Sequence, residues 1–440
     1  MIKVITYGTF DLLHYGHLRL LERAKALGDY LIVGVTADGF DQARGKINVQ
    51  QTLMERIEAV KATGLADEIV IEEYEGQKID DIRRLGVDIF TVGSDWVGHF
   101  DYLNEYCKVI YLDRTQGVSS SELRAEKRDL RIGLVGESAI LNKFASECHY
   151  VNGITITGIC TQNDSELSQA LKILPLVTDK LEVLLGSCDA VYVASHPTKH
   201  YEQIKKALLA GKHVLCESPI TISLSDYQEL SQIAQNKKLQ LEDSLKTAYS
   251  TAYNRMLLLV KSGVIGEVKS VDTTCTSLSD LEKKEGEPTP FTWNSICAWG
   301  PLAMLPIFQL LGTNYVSKQM TSHLIADHFD TFTKIDFVYP HAVASMKVGK
   351  GVKSEGELII SGTKGYIYVP APWWKTEYFE VRYENPTLNE KFYYKFNGDG
   401  LRYELVNFYL SIVNKMENMT VTENESITIS KIIEEFHNRN

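Results

Sequence analysis

Proline is scarce in this chain, 11 in 440 residues, and no stretch is of low complexity. Extensive disorder is thereby excluded, because 44% of the residues are hydrophobic and 23% charged, ordinary proportions for a packed globular protein. An excess of positive charge is missing too. The net charge is −11, so there is no general electrostatic footprint for nucleic acid or an anionic membrane, and any phosphate ligand has to be held by local cations. Cysteines are few and odd in number: Cys107, Cys148, Cys160, Cys188, Cys216, Cys275 and Cys297. None forms a CxxC pair and most sit in apolar runs, which argues against a disulfide framework or a metal site and predicts reduced, buried thiols. No apolar run reaches the roughly 18 residues of a membrane span. The opening MIKVITYG reads as a short buried strand without a cleavage site, so a cytoplasmic protein is expected.

At about 150 residues per domain the chain has room for about three. A first stretch alternates short apolar runs (KVITYG, YLIVGV, EIVIEE, DIFTVGS, KVIYLD) with helical-period segments such as HLRLLERAKALGD, the pattern of a parallel sheet wrapped by helices. The charged run SSSELRAEKRDLR suits a helix leading into a linker, which places a boundary near residue 130. The strand–turn–helix pattern restarts at RIGLVGES and continues through GITITGIC, DAVYVASHP and KHVLCESP, a second doubly wound domain over 131–245. Beyond it, over 246–440, come one helical stretch (NRMLLLVKSGVIGE) and long alternating runs such as FDTFTKIDFVYP, GELIISGTKGYIYV and YFEVRYE. These predict an open antiparallel sheet with a helix on one face. The fold class is therefore α/β, a Rossmann-like domain, a second Rossmann domain and an α+β sheet domain.

The segment Gly8 to His17, GTFDLLHYGH, sets a glycine turn after the first strand and two histidines three apart where a helix begins. Both imidazoles fall on one face of the first helical turn beside exposed backbone N–H groups, a site for a polyanion. About a hundred residues on, Arg114, Thr115, Gly117 and Ser119, Ser120, Ser121 supply a cation, a glycine turn and hydroxyls at a helix N-cap. Two helix N-termini facing one cleft would grip a triphosphate. One such histidine alone is most often a solvated or capping residue; the joint spacing is the specific signal.

GTFDLLHYGH followed by RTxGxSSS resembles the cytidylyltransferases of the HxGH nucleotidyltransferase superfamily, and within them the branch that acts on glycerol 3-phosphate in teichoic-acid synthesis. The resemblance covers residues 2–127 and includes LLERAKALGDYLIVGV, GSDWVGHFD and VIYLDRTQGVSSSEL. It implies in-line attack of an alcohol phosphate on the α-phosphorus of CTP, chemistry that depends on positioning and charge neutralisation. It implies a catalytic set of His14, His17, Lys46 and Arg114. Gly8, Thr9, Phe10, Thr115, Gly117, Ser119 and Ser120 would join the two histidines and Arg114 around CTP. Asp11, Asp38, Arg44, Lys46, Arg56, Asp67, Asp95 and Trp96 would serve the acceptor, and Mg²⁺ is expected because it neutralises the triphosphate. Departures fall on the acceptor side as the family has it: Gly64 stands in place of an Arg, Ser94 of an Asp and His99 of a Lys. A homodimer is implied, with CTP and a polyol phosphate as ligands, no nucleic acid, and downstream polymer-synthesis enzymes as partners.

From Arg131 onward the chain resembles the glucose-fructose oxidoreductase/inositol dehydrogenase family, on RIGLVGES, SHPTKHYEQIKKALLAGKHVLCESP, SGVIGEV and SGTKGYIYVPAPWW. Its redox positions are altered. After Gly136 the dinucleotide fingerprint reads Glu137 and Ser138, with Leu141 in place of the third glycine. Ser218 stands where the family has its catalytic Lys, and Leu302 where it has a His. Neither accepts a proton at neutral pH, and NAD(P) is not expected; His196 and His200 are the nearest candidates for a substitute base. Three readings stay open for this part: a non-catalytic scaffold, a reductase supplying the polyol phosphate, or a docking module.

Overall fold

Runs rich in β-branched residues build the first sheet. β1 (Lys3–Gly8), β2 (Tyr30–Thr36), β3 (Glu68–Glu72), β4 (Ile89–Gly93) and β5 (Lys108–Leu112) lie in the order β3-β2-β1-β4-β5, every pair parallel. The computed structural model describes residues 1–13, 15–37, 49, 51, 53–74, 76–113, 130–151, 153–163, 165, 167–278, 294–326, 329–394, 396, 398–414 and 420–439. Helices α1 (Tyr15–Lys25), α2 (Leu53–Ala62) and α3 (Gln77–Leu85) cover the two faces. Val4, Leu21, Val33 and Val60 form the core on one side and Ile5, Ile32, Ile82 and Phe90 on the other, which is why these strands read as near-continuous apolar runs. Only glycine fits at position 34, where a Cβ would lie 2.2 Å from the Tyr7 ring. The strand order reverses between β1 and β4, and ligands of open α/β sheets bind at the carboxyl ends of strands beside such a point.

The chain divides into two compact units, 1–129 and 130–440. In the second, β6 (Leu130–Gly136), α4 (Ile140–Cys148), β7 (Ile154–Cys160), α5 (Gln169–Lys172), β8 (Val177–Thr178), α6 (Leu181–Leu185), β9 (Ala190–Ala194), α7 (Pro197–Leu209), β10 (His213–Glu217), α8 (Leu224–Lys237) and β11 (Leu241–Ser244) follow in turn. Their sheet has the order β11-β10-β9-β6-β7-β8, the doubly wound arrangement the sequence predicts. After α9 (Thr251–Lys261) comes an eight-stranded sheet. It contains β12 (Val268–Thr276), β13 (Ser317–Ala326), β14 (Phe329–Val338), β15 (Val343–Gly349), β16 (Leu358–Gly362), β17 (Tyr366–Val369), β18 (Tyr378–Arg382) and β19 (Glu390–Tyr393). Its order is β13-β14-β15-β12-β16-β17-β18-β19. It is antiparallel except where β12 and β15 run parallel.

Three helices that periodicity does not reveal also belong here: α10 (Ser295–Leu311), α11 (Leu401–Asn414) and α12 (Glu423–His437). The sequence of α10, SICAWGPLAMLPIFQLL, is apolar all round because the helix is buried against β12, β14 and β15, so no polar face marks its period. Helix α12 opens with a capping box between Thr422 and Glu425. All seven cysteines are free, Cys107 half-buried and the others buried.

One buried ion pair ties α11 to α4, the helix that follows β6. Arg402 donates from Nε to Glu147 Oε2 at 2.9 Å and from Nη2 to Oε1 at 2.8 Å, with its guanidinium 3.9 Å over the Tyr150 ring. Gly398, at φ 60°, makes room for that carboxylate: a Cβ there would stand 2.0 Å from Glu147 Oε1. Arg402→Met strands the carboxylate and is expected to cost about 3–5 kcal/mol in urea unfolding of the second unit. Adding Glu147→Gln should recover most of that loss; a single Arg402 variant as stable as wild type would contradict the pairing.

Candidate active site

At the carboxyl end of β1 the backbone turns sharply. A Cβ on Gly8 would lie 3.1 Å from the Phe10 ring, so the ring folds back over a glycine. Phe10 (φ 53°) and Leu12 (φ 47°) are both left-handed, a conformation that costs a non-glycine residue roughly 1–2 kcal/mol. The buried Phe10 ring stands edge-on to the His17 imidazole, centroids 5.5 Å apart. His17 itself is half-buried in the first turn of α1, among the N–H groups that a helix leaves without intrahelical acceptors. From the last turn of α1, Arg23 donates to Asp113 O at 2.7 Å, bringing that helix to the end of β5. Trp96 follows β4 and packs on Phe100, centroids 5.8 Å apart. Gly8, Thr9, Phe10, His17 and Trp96 thus come together around the switch point between β1 and β4. His14, Asp38, Arg44, Lys46, Arg114, Thr115, Gly117, Ser119 and Ser120 lie outside the described residues, as does the side chain of Asp95.

Three of the expected acceptor residues, Asp67, Arg56 and Asp11, make internal contacts. Asp67 sits at the opposite edge of the sheet, where it accepts the Leu31 N–H at 2.6 Å and pairs with Lys25. That hydrogen bond and the ammonium hold its carboxyl below the usual range, the mark of a structural cap. Gly64 belongs to the same α2–β3 connection, at φ 67° with open space about it; within this unit it too is away from the switch point. Arg56 is fully buried. Its Nη1 donates to Thr9 O at 2.7 Å and Thr36 O at 2.8 Å, and its Nε to Gln51 O at 3.1 Å. A surface cation for a ligand is therefore replaced by an internal brace. Asp11, 2% exposed, accepts the Gln51 N–H at 3.0 Å.

A buried polar network at the same edge was not singled out by sequence. Tyr7 donates to Asp81 at 2.8 Å, Gln77 to Asp81 at 3.1 Å and Thr36 to Glu72 at 2.9 Å. Lys78 pairs with Glu72 and lies 4.6 Å over the Tyr7 ring. Burial, with Asp81 beside it, pushes the Tyr7 phenol far up and keeps it a donor. The four-residue spacing of Gln77 and Asp81, one helical face, is the available signal. Among the described residues no group of three His, Cys, Asp or Glu could hold a metal ion.

The second unit keeps the outline of a dinucleotide site with different contents. Gly136, φ 129°, is indispensable: a Cβ there would lie 2.4 Å from Ala194 O. Glu137 follows it and pairs with Lys199 at 3.3 Å, so a carboxylate borders the turn where a pyrophosphate would need backbone and positive potential. Ser138 Oγ accepts the Ile140 N–H at 3.4 Å, and Leu141 is buried in α4. These residues do not fit a dinucleotide phosphate. A cleft of about 260 Å³ beside the turn is lined by Glu137, Thr161, Asp179, Glu182, Lys199 and Lys206 among others. His200 is no surrogate base: buried, its ring nitrogens lie 2.9 Å from Pro219 O and 3.0 Å from Ser195 O. His196 Nδ1 lies 2.7 Å from Thr198 Oγ1 where α7 begins.

Where β10 and β11 end, acids gather. Ser244 Oγ lies 3.3 Å from Glu217 Oε1 and 2.8 Å from Glu404 Oε2; Tyr192 also donates to Glu217. Asp243 accepts from Ser426 at 3.2 Å. Burial raises Glu404 well above the usual carboxylate range and pushes Asp243 up to about 7, Glu217 adding to the effect against the Ser218 and Ser426 hydroxyls. Ser218 stands beside this acid cluster, and Leu302 is a half-buried residue of α10.

A parallel sheet with a histidine-bearing turn at its switch point defines a nucleotidyltransferase of the α/β class, joined here to an oxidoreductase-like unit. Residues 5–126 match the model of the cytidylyltransferase-like family, and residues 130–242 that of the oxidoreductase family with an NAD-binding Rossmann fold. The glycerol-3-phosphate cytidylyltransferase of Bacillus spizizenii is 48% identical over 130 residues, 30% of this chain and 100% of that one. That of Staphylococcus aureus is 44% identical over 126 residues, 29% of this chain and 95% of its own. The chain belongs to the cytidylyltransferase family. Among solved structures, UDP-N-acetylglucosamine 3-dehydrogenase GnnA from Acidithiobacillus ferrooxidans shares 15% identity at a TM-score of 0.58, covering 70% of this chain and 97% of that one. KijD10, a 3-ketoreductase from Actinomadura kijaniata, shares 16% at 0.59, covering 69% and 95%. At such identities the likeness is one of fold. No described helix is long and apolar enough to cross a membrane.

Asp243 supplies a pH test. Its native carboxyl holds a proton that the unfolded chain releases near 4, so native stability falls as pH rises from about 4 to about 7, by at most about 1.4 kcal/mol per pH unit. Asp243→Asn removes that slope. Urea unfolding at several pH values should show the variant gaining on wild type as pH climbs through the window; a constant difference would refute the protonated state.

Proposed function

We propose that the first unit transfers CMP from CTP to glycerol 3-phosphate or a related polyol phosphate, releasing pyrophosphate, to supply CDP-polyols for teichoic-acid or capsule-type polymers. The observation that carries this reading is the convergence of the Gly8–Phe10 turn, His17 and Trp96 at one switch point, in a family whose similar members carry the glycerol-3-phosphate name. An oxygen of the acceptor phosphate attacks the α-phosphorus, a new P–O bond forms, and the bond to the bridging oxygen breaks with its electron pair leaving on pyrophosphate. His17 and the N–H groups of the first turn of α1 donate to the phosphate oxygens as charge builds. His14, Lys46 and Arg114 complete the catalytic set. By the family resemblance Thr115, Gly117, Ser119 and Ser120 serve the triphosphate, and Asp38, Arg44, Asp95 and Trp96 the acceptor. Mg²⁺ comes with the triphosphate as part of the substrate, since such ions are held largely by phosphates.

The second unit, on this reading, binds no dinucleotide and carries no redox chemistry. It serves as a scaffold for a homodimer or for enzymes that consume the CDP-polyol in the cytoplasm. Its support is the Glu137–Lys199 pair at the phosphate turn and Ser218 beside an acid cluster in place of a lysine.

Purified full-length protein with CTP, Mg²⁺ and a panel of polyol phosphates should release pyrophosphate, fastest with glycerol 3-phosphate. His17→Ala should lower kcat about 10²- to 10³-fold, the usual loss for a transition-state donor, with thermal unfolding unchanged. A variant turning over at the normal rate would remove His17 from the reaction. Fluorescence titration with NADH and NADPH should show no saturable binding, and domain-dependent oxidation of either with dihydroxyacetone phosphate or a pentulose phosphate would instead make the protein bifunctional.

A further inference from the structure

The strained turn after β1 is fastened to the segment before α2 by a ring of hydrogen bonds centred on Gln51. Its N–H donates to Asp11 Oδ1 at 3.0 Å, and its side-chain Oε1 accepts the Leu12 N–H at 2.7 Å. Its carbonyl accepts from Arg56 Nε at 3.1 Å, while Nη1 of the same arginine reaches back to Thr9 O at 2.7 Å. Among the described residues, the polar contacts of Gln51 run to the wall formed by Thr9–Leu12 and Arg56, and the two backbone–side-chain bonds between Asp11, Leu12 and Gln51 are reciprocal.

Leu12 is where this matters. At φ 47° it pays the left-handed penalty, and its N–H direction sets the path of the chain into α1. A return of Leu12 to an ordinary φ would swing the residues between it and His17. A misplacement of about 1 Å at such a site costs on the order of 10²-fold in rate. Asp11 is thereby also reassigned, from a carboxylate facing substrate to one that holds the Gln51 backbone.

We infer that Gln51 is a positioning residue for nucleotidyl transfer, holding the Thr9–Leu12 turn, and with it the first turn of α1 and His17, in the shape that meets the triphosphate. The inference rests on the cytidylyltransferase reading of this edge and extends it to a residue that touches no reacting atom.

The test compares full-length wild type, Gln51→Met and Gln51→Glu with CTP, Mg²⁺ and glycerol 3-phosphate. Methionine keeps length and volume but accepts no strong hydrogen bond, so kcat should fall about 10- to 100-fold. Glutamate keeps an acceptor for Leu12, so its kcat should stay within about threefold of wild type while KM for CTP rises, because a carboxylate now stands near the triphosphate. A role in stability alone would instead lower the unfolding midpoint of the methionine variant without this split between kcat and KM. A methionine variant with kcat within about twofold of wild type, or a glutamate variant as slow as the methionine one, overturns the clamp. Should wild type turn over no polyol phosphate, the acceptor reading falls. Calorimetry with CTP then decides the clamp: about tenfold weaker binding by Gln51→Met supports it, and unchanged affinity overturns it.

Discussion

A guanidinium with no exposed surface has to be given acceptors by the chain itself, because an uncompensated buried charge costs several kcal/mol. Arg56 receives the carbonyls of Thr9, Thr36 and Gln51. These belong to the exit of β1, the exit of β2 and the approach to α2, so one side chain fixes three backbone segments at the edge where the strand order reverses. The left-handed residues Phe10 and Leu12 persist because this brace and the Gln51 bonds over-determine the turn. The second unit meets the same constraint with a carboxylate, Glu147 holding Arg402 in a two-bond fork, and there the charge joins helix α11 to helix α4.

What the sequence conveyed follows the physics of each element. Strands buried on both faces announce themselves as apolar runs and stand where expected; of the histidine turn, Gly8 ends β1 and His17 lies in the first turn of α1, while His14 lies outside the described residues. Helix α10 does not announce itself, because a helix buried all round has no period to read. Strand β13 was passed over as well: at the sheet edge, SKQMTSHLIA lacks a clean alternation. Asp67 and Arg56 show where sequence spacing stops being informative. A charged residue between two motifs is equally well a ligand contact or a structural cap, and only its distance to the Leu31 N–H or to three carbonyls distinguishes them.

The two Rossmann-type edges have diverged in the sign of what they offer. In the first, the turn presents helix N–H groups beside an imidazole, and its buried acids are spent internally: Glu72 on Lys78 and Thr36, Asp81 on Tyr7 and Gln77. In the second, Gly136 survives because Ala194 O leaves no room for a Cβ, a packing demand that holds whether or not a phosphate binds. The fold's need for this glycine is therefore separable from the binding of a phosphate.

That separation explains how an acid cluster came to occupy the end of β10 and β11. A lysine at position 218 would have kept neighbouring carboxylates ionised through its own charge. With serine there, burial dominates: Asp243 rises to about 7, and Glu404 well above the usual carboxylate range. Protonated acids then act as donors and acceptors in one network, linking Ser244 on β11 to Glu404 on α11, and Ser426 on α12 back to Asp243. These bonds join the Rossmann-type sheet to the two C-terminal helices. A lysine at position 218 would set a cation among buried acids whose raised pKa values follow from burial, so the joint would have to repack around it.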